Sequence, residues 1–174
     1  TNDLKSKVIH FKFDLVTPWE SKLGYLLVSK CLVEYHDLRS VLIPNCLTLL
    51  GEEEEVRVRM ASADLLGSLC QVHGVSVYQE VKVEILGMIS KNLQRESRNL
   101  TLDKVEVKKG FEVRRSADGI FHDTAGWRNL ETSMKALESM VVGCEVNFRP
   151  FLDQDLVELI VKALDHTNRF VRET

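Results

Sequence analysis

Apolar residues recur along most of this chain every three or four positions, so that each series falls on one face of a helix. The clearest series are Leu42, Ile43, Cys46, Leu47 and Leu50; Val58, Ala61, Ser62, Leu65, Leu66, Leu69 and Cys70; Val81, Ile85, Met88, Ile89 and Leu93; Leu130, Met134, Leu137 and Val141; and Leu152, Leu156, Leu159, Ile160, Ala163 and Leu164. Each series predicts a helix with one buried face. Gly74 and Gly143 follow the second and fourth series, at the place where glycine ends a helix.

The N-terminal part of the chain carries two further signals. Thr17-Pro18-Trp19-Glu20 has the order N-cap, N1 proline and N3 glutamate, which predicts a helix over about 18–35. Its apolar residues fall on more than one side, so we expect it to be packed between neighbours. Before it, Ile9 to Leu15 alternates apolar with polar residues, which predicts an extended segment without a partner strand.

The helical series also repeat in register. Residues 129–140 align with the unit that opens at Val58-Arg59, and Leu137 then matches Leu66. The aligned starting points are positions 21, 58, 129 and 171, which are 37, 71 and 42 residues apart. Two of these intervals lie near the period of helical repeats of about 40–47 residues, and the third leaves room for an insertion of about thirty residues.

The segment from Leu156 to Arg172 resembles a HEAT repeat: the end of a first helix, an Asp turn at Asp165, and the Val171-Arg172 opening of a second helix. Leu42 to Leu69 has the same arrangement, with Glu53 to Glu55 in place of the Asp. The resemblance covers about 17–94 and 126–174 and departs from the pattern at Leu130, where arginine is typical.

The resemblance implies an all-α fold, a right-handed HEAT/armadillo-like solenoid of about three to four helix hairpins with one long insertion loop. The expected units are roughly 1–36, 40–74, 76–142 with the insertion 95–125, and a truncated 150–174. Since Val171 to Thr174 reads as the start of a helix, we expect a fragment of a longer protein.

The insertion is rich in charge. Residues 95–125 contain six acids and seven basic residues, namely Arg95, Arg98, Lys104, Lys108, Lys109, Arg114 and Arg115. Val105-Glu106-Val107 and Phe111-Glu112-Val113 flank Lys108-Lys109-Gly110, which indicates a small hairpin or a loop. Long excursions of this kind are either disordered spacers or functional elements, and both interpretations stay open.

Charged residues outside the insertion also have two interpretations each. Arg57, Arg59, Arg128, Arg169 and Arg172 could form a stripe that faces phosphate or an acidic peptide, or could bind acidic turns such as that of Asp165; we favour the structural role. The run Glu52–Glu55 could dock a basic partner, but acids at this position also stabilise the start of the next helix. A net charge of −3 argues against attraction of the whole surface to nucleic acid or anionic lipid.

Local spacing yields no catalytic, cofactor or metal site. Asp123-Thr124-Ala125-Gly126 matches a GTPase switch sequence, but the chain has no Gly-rich phosphate loop. The histidines lack metal-binding spacing, and Cys31, Cys46, Cys70 and Cys144 form no C-x-x-C pair. We expect reduced cysteines packed as small apolar residues, which is typical of an intracellular protein. No apolar run is long enough to span a bilayer.

The sequence thus predicts a non-enzymatic scaffold that binds another protein, located in the cytoplasm or nucleus and not in a membrane, without cofactors. The candidate partner-binding residues are Arg57, Arg128, Lys104, Lys108, Lys109, Arg114 and Arg115. The alternative is a nucleic-acid-binding solenoid that uses the arginine stripe and the basic insertion. A third possibility is an enzyme whose site is assembled from distant residues.

Overall fold

The computed structural model describes residues 2–11, 17–107 and 117–165, and for 94–107 and 117–128 it describes the backbone alone. Within these ranges the chain forms α-helices and one 3₁₀ helix and contains no β-strand. The helices are α1 (Asn2–His10), α2 (Trp19–Leu32), α3 (Arg39–Glu52), α4 (Val56–His73), α5 (Val75–Val107), α6 (Ala117–Cys144), the 3₁₀ helix (Glu145–Phe151) and α7 (Gln154–Leu164). The predicted all-α class is confirmed.

The helices pack in two layers. Successive helices contact each other as the pairs α1/α2, α3/α4 and α5/α6. Across the pairs, α2 packs on α4 and α4 on α6, while α3 packs on α5 and α5 on α7. Such stacking of helix pairs lets neighbours share one continuous core. It is the arrangement of a HEAT-like helical repeat, as the sequence predicted, and the unit boundaries and the handedness remain predictions.

Helix α4 lies at the centre of the core. Val58, Leu65, Leu66 and Leu69 are fully buried on it, and it contacts α2, α3, α5 and α6. Its C-terminus confirms one predicted cap: Gly74 has φ +74°, and its amide donates to the Cys70 carbonyl at 2.7 Å. Glycine enters this part of φ/ψ space without the steric penalty that a side chain brings.

The prediction that Gly143 ends its helix is wrong, because α6 continues to Cys144. Gly143 instead lies against α4, with its Cα next to the carbonyl oxygen of Gly67. Glycine is required here by a close helix crossing and not by a turn. Local periodicity could not distinguish these two uses, since a crossing depends on residues that are distant in sequence.

The N-terminal expectations need two corrections. Ile9 and His10 are not extended but end helix α1, and residues 12–16 of the predicted extended segment lie outside the described ranges. A short apolar alternation also suits a helix that rests on one neighbour, and Phe11 after α1 stacks on Tyr25 of α2 with ring centroids 4.9 Å apart. Helix α2 begins at Trp19, so that Pro18 takes the N-cap position, one residue later than predicted.

Helix α2 is not enclosed on all sides, contrary to the prediction. Leu27, Val28 and Cys31 are exposed on it, although Tyr25, Leu26 and Leu32 are buried. The helix contacts α1 and α4, which cover only part of its circumference. In α2, apolar residues on several sides therefore indicate a helix with an exposed apolar strip, and not a helix enclosed by its neighbours.

The insertion is partly helical. Residues 95–107 continue α5 and residues 117–125 begin α6, so the predicted strand at Val105-Glu106-Val107 is wrong. The other half of that hairpin, Phe111-Glu112-Val113, lies outside the described residues. The charged composition gave no helical apolar series, and helices with little apolar periodicity are easily missed from sequence.

The fifth apolar series is buried only in part. Leu156 and Ala163 of α7 are buried, Leu159 and Ile160 are half-buried, and Leu152 and Leu164 are exposed. The Asp153 carboxylate caps this helix by accepting from the Leu156 amide at 2.9 Å. Before α7, Phe148 and Phe151 of the 3₁₀ helix pack on Tyr78, which joins this connection to α5.

Candidate interaction surface

The turn between α3 and α4 is held from inside by Arg59. This arginine is only 3% exposed, and its Nη1 donates to the backbone carbonyls of Glu53 at 2.8 Å and Glu54 at 2.7 Å. Its Nε donates to Thr132 Oγ1 of α6 at 3.3 Å. Arg59 therefore connects its own turn with the next helix of the layer. The preferred structural role is confirmed for Arg59, and its partners include the backbone carbonyls of the turn.

The same turn is fixed from α2 by an ion pair. Lys22 Nζ lies 2.5 Å from Glu53 Oε2, and both side chains are largely buried. Burial pushes the pKa of Glu53 up, but the hydrogen bonds from Lys22 and from the Glu55 amide outweigh it and hold the pKa below its ordinary value. The free-energy cost of burying the Glu53 carboxylate is offset here by its pairing with Lys22.

Arg57, a candidate partner-binding residue, is exposed in the first turn of α4. Its Nε donates to Glu55 Oε1 at 2.8 Å, and its guanidinium carbon lies 4.1 Å from the centroid of the Trp19 ring. The Arg57 hydrogen bonds hold the pKa of Glu55 below its ordinary value. Glu55 also caps α4 by accepting from the Arg57 amide. In the run Glu52–Glu55, the helix-stabilising role is thus observed for Glu55.

The structure describes no side chain for any other candidate residue, so it places none of them beside Arg57. Arg128 lies in α6 and Lys104 in α5, both where the backbone alone is described. Outside the described residues lie Lys108, Lys109, Arg114, Arg115, Arg169 and Arg172. The arginine stripe therefore has two described side chains, and of these Arg59 is buried.

A groove between α4 and α6, absent from the sequence expectations, has a volume of about 360 Å³. Its walls include Asp64, Ser68 and Gln71 of α4, Val142 near the end of α6, and Glu145 at the start of the 3₁₀ helix. Asp64 and Glu145 are exposed and make no ion pair within the described part of the chain. The spacing of Asp64, Ser68 and Gln71 on the polar face of α4 is the signal that could have located this groove.

Lys135 and Glu138 add little net charge to the same groove. Lys135 Nζ lies 2.7 Å from Glu138 Oε2, so the two side chains neutralise each other on the α6 wall. The net charge of the groove is therefore negative, because Asp64 and Glu145 have no cationic partner among the described residues. Val142, which is 68% exposed, supplies an apolar contact beside them.

A second groove lies between α5 and α7 and has a volume of about 410 Å³. Lys82 and Lys162 line it together with Asp153, Asp155 and Glu158. Charges of both signs meet there, so this groove has no clear electrostatic preference.

Cysteines and histidines add no metal site in the described ranges. All four cysteines are free; Cys46, Cys70 and Cys144 are buried as predicted, but Cys31 is exposed. The Nε2 atoms of His36 and His73 are buried and have no hydrogen-bond partner among the described residues. Within the described part of the chain, no three His, Cys, Asp or Glu residues are placed to bind a metal ion, and no helix has the length and apolar character that a membrane span requires.

The comparison with known families bears on the central hairpin, α3 and α4. Residues 42–73 match the family model of the HEAT repeat. The matched segment includes Arg59 and the α3–α4 turn, so the resemblance seen in the sequence is confirmed for this hairpin. No match was found among curated proteins or among solved structures. HEAT repeats form helical scaffolds that often mediate protein interactions, and the stacked helix pairs of this chain have that architecture.

Proposed function

We propose that the chain is a non-enzymatic scaffold segment that binds another protein in the groove between α4 and α6. The observation that carries the proposal is a pair of exposed acids, Asp64 and Glu145, which make no ion pair with any described residue and lie in a groove on the face of a HEAT-like layer. Electrostatic complementarity mainly sets partner choice and the rate of association. A partner segment with basic side chains fits this lining.

Val142 adds an apolar anchor to the proposed contact. It stands 68% exposed in the groove wall, where it can cover an apolar side chain of the bound segment. Interfaces combine such apolar contacts with a polar rim. The proposed ligand is therefore a basic peptide segment that also carries an apolar residue.

Binding of nucleic acid is the alternative. Arg57 is engaged by Glu55 and Trp19, and Arg59 is buried, so neither of these two side chains offers a free phosphate contact. The groove carries acids, which repel phosphate. The alternative then depends on Arg128, Lys104 and the basic residues of 108–115, which remain candidate contacts.

The buried thiols support an intracellular location. Cys46, Cys70 and Cys144 are buried as free thiols, which suits a reducing compartment such as the cytoplasm or nucleus.

The proposal is tested with probes of known charge. A fluorescent oligolysine peptide that contains one leucine, an oligoglutamate peptide of the same length and a DNA duplex are titrated against the whole chain at two salt concentrations. We expect the oligolysine peptide to bind, and Asp64→Lys to weaken its affinity several-fold, because one rim charge contributes about 0.2–1 kcal/mol and its reversal doubles the change.

Glu84→Lys is the matched control. Glu84 is exposed in the N-terminal half of α5, on the other layer, so this variant changes the net charge by the same amount as Asp64→Lys. It should leave the affinity for oligolysine nearly unchanged. Equal weakening by both variants would mean that the peptide responds to net charge alone and would contradict the groove proposal. Tight, steeply salt-dependent binding of the duplex would favour the nucleic-acid alternative.

A further inference from the structure

The groove between α5 and α7 runs along two helices of the same direction. Tyr78, in the first turn of α5, packs against Phe151, which ends the 3₁₀ helix before α7, with ring centroids 5.4 Å apart. Both helices therefore start at the same end of the groove. Its α5 wall extends from Tyr78 to Ser90 and its α7 wall ends at Lys162, so the groove is about 18 Å long at the rise of an α-helix.

Apolar side chains line the middle of this groove. Leu86 of α5 and Leu159 of α7 are half-buried against the core and remain partly accessible in the groove. Val83, which is 72% exposed, stands on the α5 wall. An apolar helix face that covered these three side chains would remove further apolar area from water, which favours binding.

Charged side chains stand along both walls without neutralising each other. The α5 wall carries Lys82, and the α7 wall carries Asp155, Glu158 and Lys162. All four are exposed, and none of them makes an ion pair with a described residue. The Glu158 carboxylate accepts a hydrogen bond from the neutral side-chain amide of Gln154 at 3.0 Å. Both signs of charge are therefore available to a ligand beside the apolar centre of the groove.

We propose that the α5–α7 groove binds an amphipathic helix of a partner protein, with acidic residues on one edge of its apolar face and basic residues on the other. Charge complementarity determines this choice, because Lys82 fits the acidic edge while Asp155 and Glu158 fit the basic edge. A helix of about twelve residues has the length of the groove, and an apolar helix face in a groove is a recurring mode of recognition. The groove belongs to the α3–α5–α7 layer, so this proposal is independent of binding between α4 and α6.

The test uses two fluorescent peptides of equal length, each stapled to hold an α-helix of about four turns with a strip of leucines. The mixed probe carries glutamates on one edge of the strip and lysines on the other, and the acidic probe carries glutamates on both edges. Their affinities for the whole chain are measured by fluorescence anisotropy at low ionic strength, where screening is weak. We expect the mixed probe to bind at least about threefold more tightly, because its lysines pair with exposed acids.

Charge reversal on the α7 wall locates the contact. With Asp155→Lys and Glu158→Lys combined, the walls of the groove become mainly basic, and the order of the two affinities should reverse. Glu80→Lys combined with Glu84→Lys is the matched control, because both glutamates are exposed on α5 outside the groove and the net charge changes by the same amount. The control should still bind the mixed probe more tightly. Urea unfolding checks that both variants fold.

Two single variants complete the test. Val83→Ser, which removes an exposed apolar contact, should weaken both probes about twofold or more. Asp64→Lys, in the groove between α4 and α6, should change the affinity for the mixed probe by less than about twofold, since distant sites act independently. Equal affinities of the two probes for the parent chain would overturn the proposal, as would an order that stays the same after the reversal of Asp155 and Glu158. Self-association in sedimentation that this reversal abolishes would also overturn it, because the groove would then bind a second copy of the chain.

Discussion

The carbonyl oxygen of Gly67 in α4 occupies the place that the Cβ atom of any other residue would take at Gly143 in α6. Reciprocally, a Cβ atom at Gly67 would lie 2.7 Å from the carbonyl oxygen of Ser139 and 2.8 Å from its Cβ atom. The two helices therefore meet through their backbones. Contacts from Cα–H groups to carbonyl oxygens recur at helix interfaces of this kind. The crossing therefore sets how closely α4 and α6 pack in this layer.

Gly143→Ala should lower the free energy of unfolding by about 2–3 kcal/mol, because the added methyl group forces two backbones apart. Gly24→Ala is the matched control: Gly24 is also helical, and no atom lies within 4 Å of the Cβ position. It should stabilise the chain by about 0.5–1 kcal/mol through helix propensity alone. Urea denaturation measures both. If the two variants had the same effect, the helix crossing would not depend on glycine at 143.

Arg59→Ala should be costly because it removes a buried guanidinium that donates to the carbonyls of Glu53 and Glu54 and to Thr132. We expect a loss of about 2–4 kcal/mol in urea unfolding, more than the loss expected for an exposed pair. Arg57→Ala, only two positions away and exposed, should cost about 1 kcal/mol or less. A smaller loss for Arg59→Ala than for Arg57→Ala would contradict the role of Arg59 as a clamp.

Leu66→Ala and Leu159→Ala should differ, although the sequence predicted both leucines as core residues. Leu66 is fully buried in α4, and its truncation should cost about 2–5 kcal/mol. Leu159 is half-buried in α7, so its truncation should cost about 1–2 kcal/mol, in proportion to the apolar area it covers. Leu164→Ala, at an exposed position, serves as the reference with a small effect. Equal urea midpoints for Leu66→Ala and the parent chain would show that the α4 helix phase is wrong.

The helices could be predicted where one apolar face is enough to define them. Leu66 and Leu137 were placed in the core from helical spacing alone, and both are buried, because that spacing is a local property of the chain. Helix α2 was harder, since its apolar residues do not show which of its sides meets a neighbour. The helix was expected to be packed between neighbours, but Leu27 and Val28 are exposed on it.

Features that depend on two distant segments could not be predicted. The contact of Gly67 with Gly143 requires the crossing of α4 and α6, which no local pattern specifies. The groove that contains Asp64 arises from the same crossing. The sequence placed a helix start close to Val58-Arg59, and α4 begins two residues earlier at Val56. It could not show that Arg59 binds the carbonyls of Glu53 and Glu54.

The Lys22–Glu53 pair should make stability depend on pH on the acid side. The ordinary pKa of the glutamate carboxyl, 4.5, applies to the unfolded chain, and the folded pKa is lower because Lys22 and backbone amides bind the carboxylate. Above the ordinary pKa the contribution of the pair is therefore complete, and it is lost as the pH falls through the folded pKa. Glu53→Gln should lower the free energy of unfolding by about 1–3 kcal/mol at neutral pH, because it leaves the largely buried Lys22 without its carboxylate, and the decline in acid should be flatter. Urea unfolding from about pH 6 to about pH 3 measures this decline. Glu54→Gln, at the exposed neighbouring position, is the control and should keep the pH profile of the parent chain. Parallel profiles for the parent and Glu53→Gln would mean that the buried pair does not control the acid sensitivity of the fold.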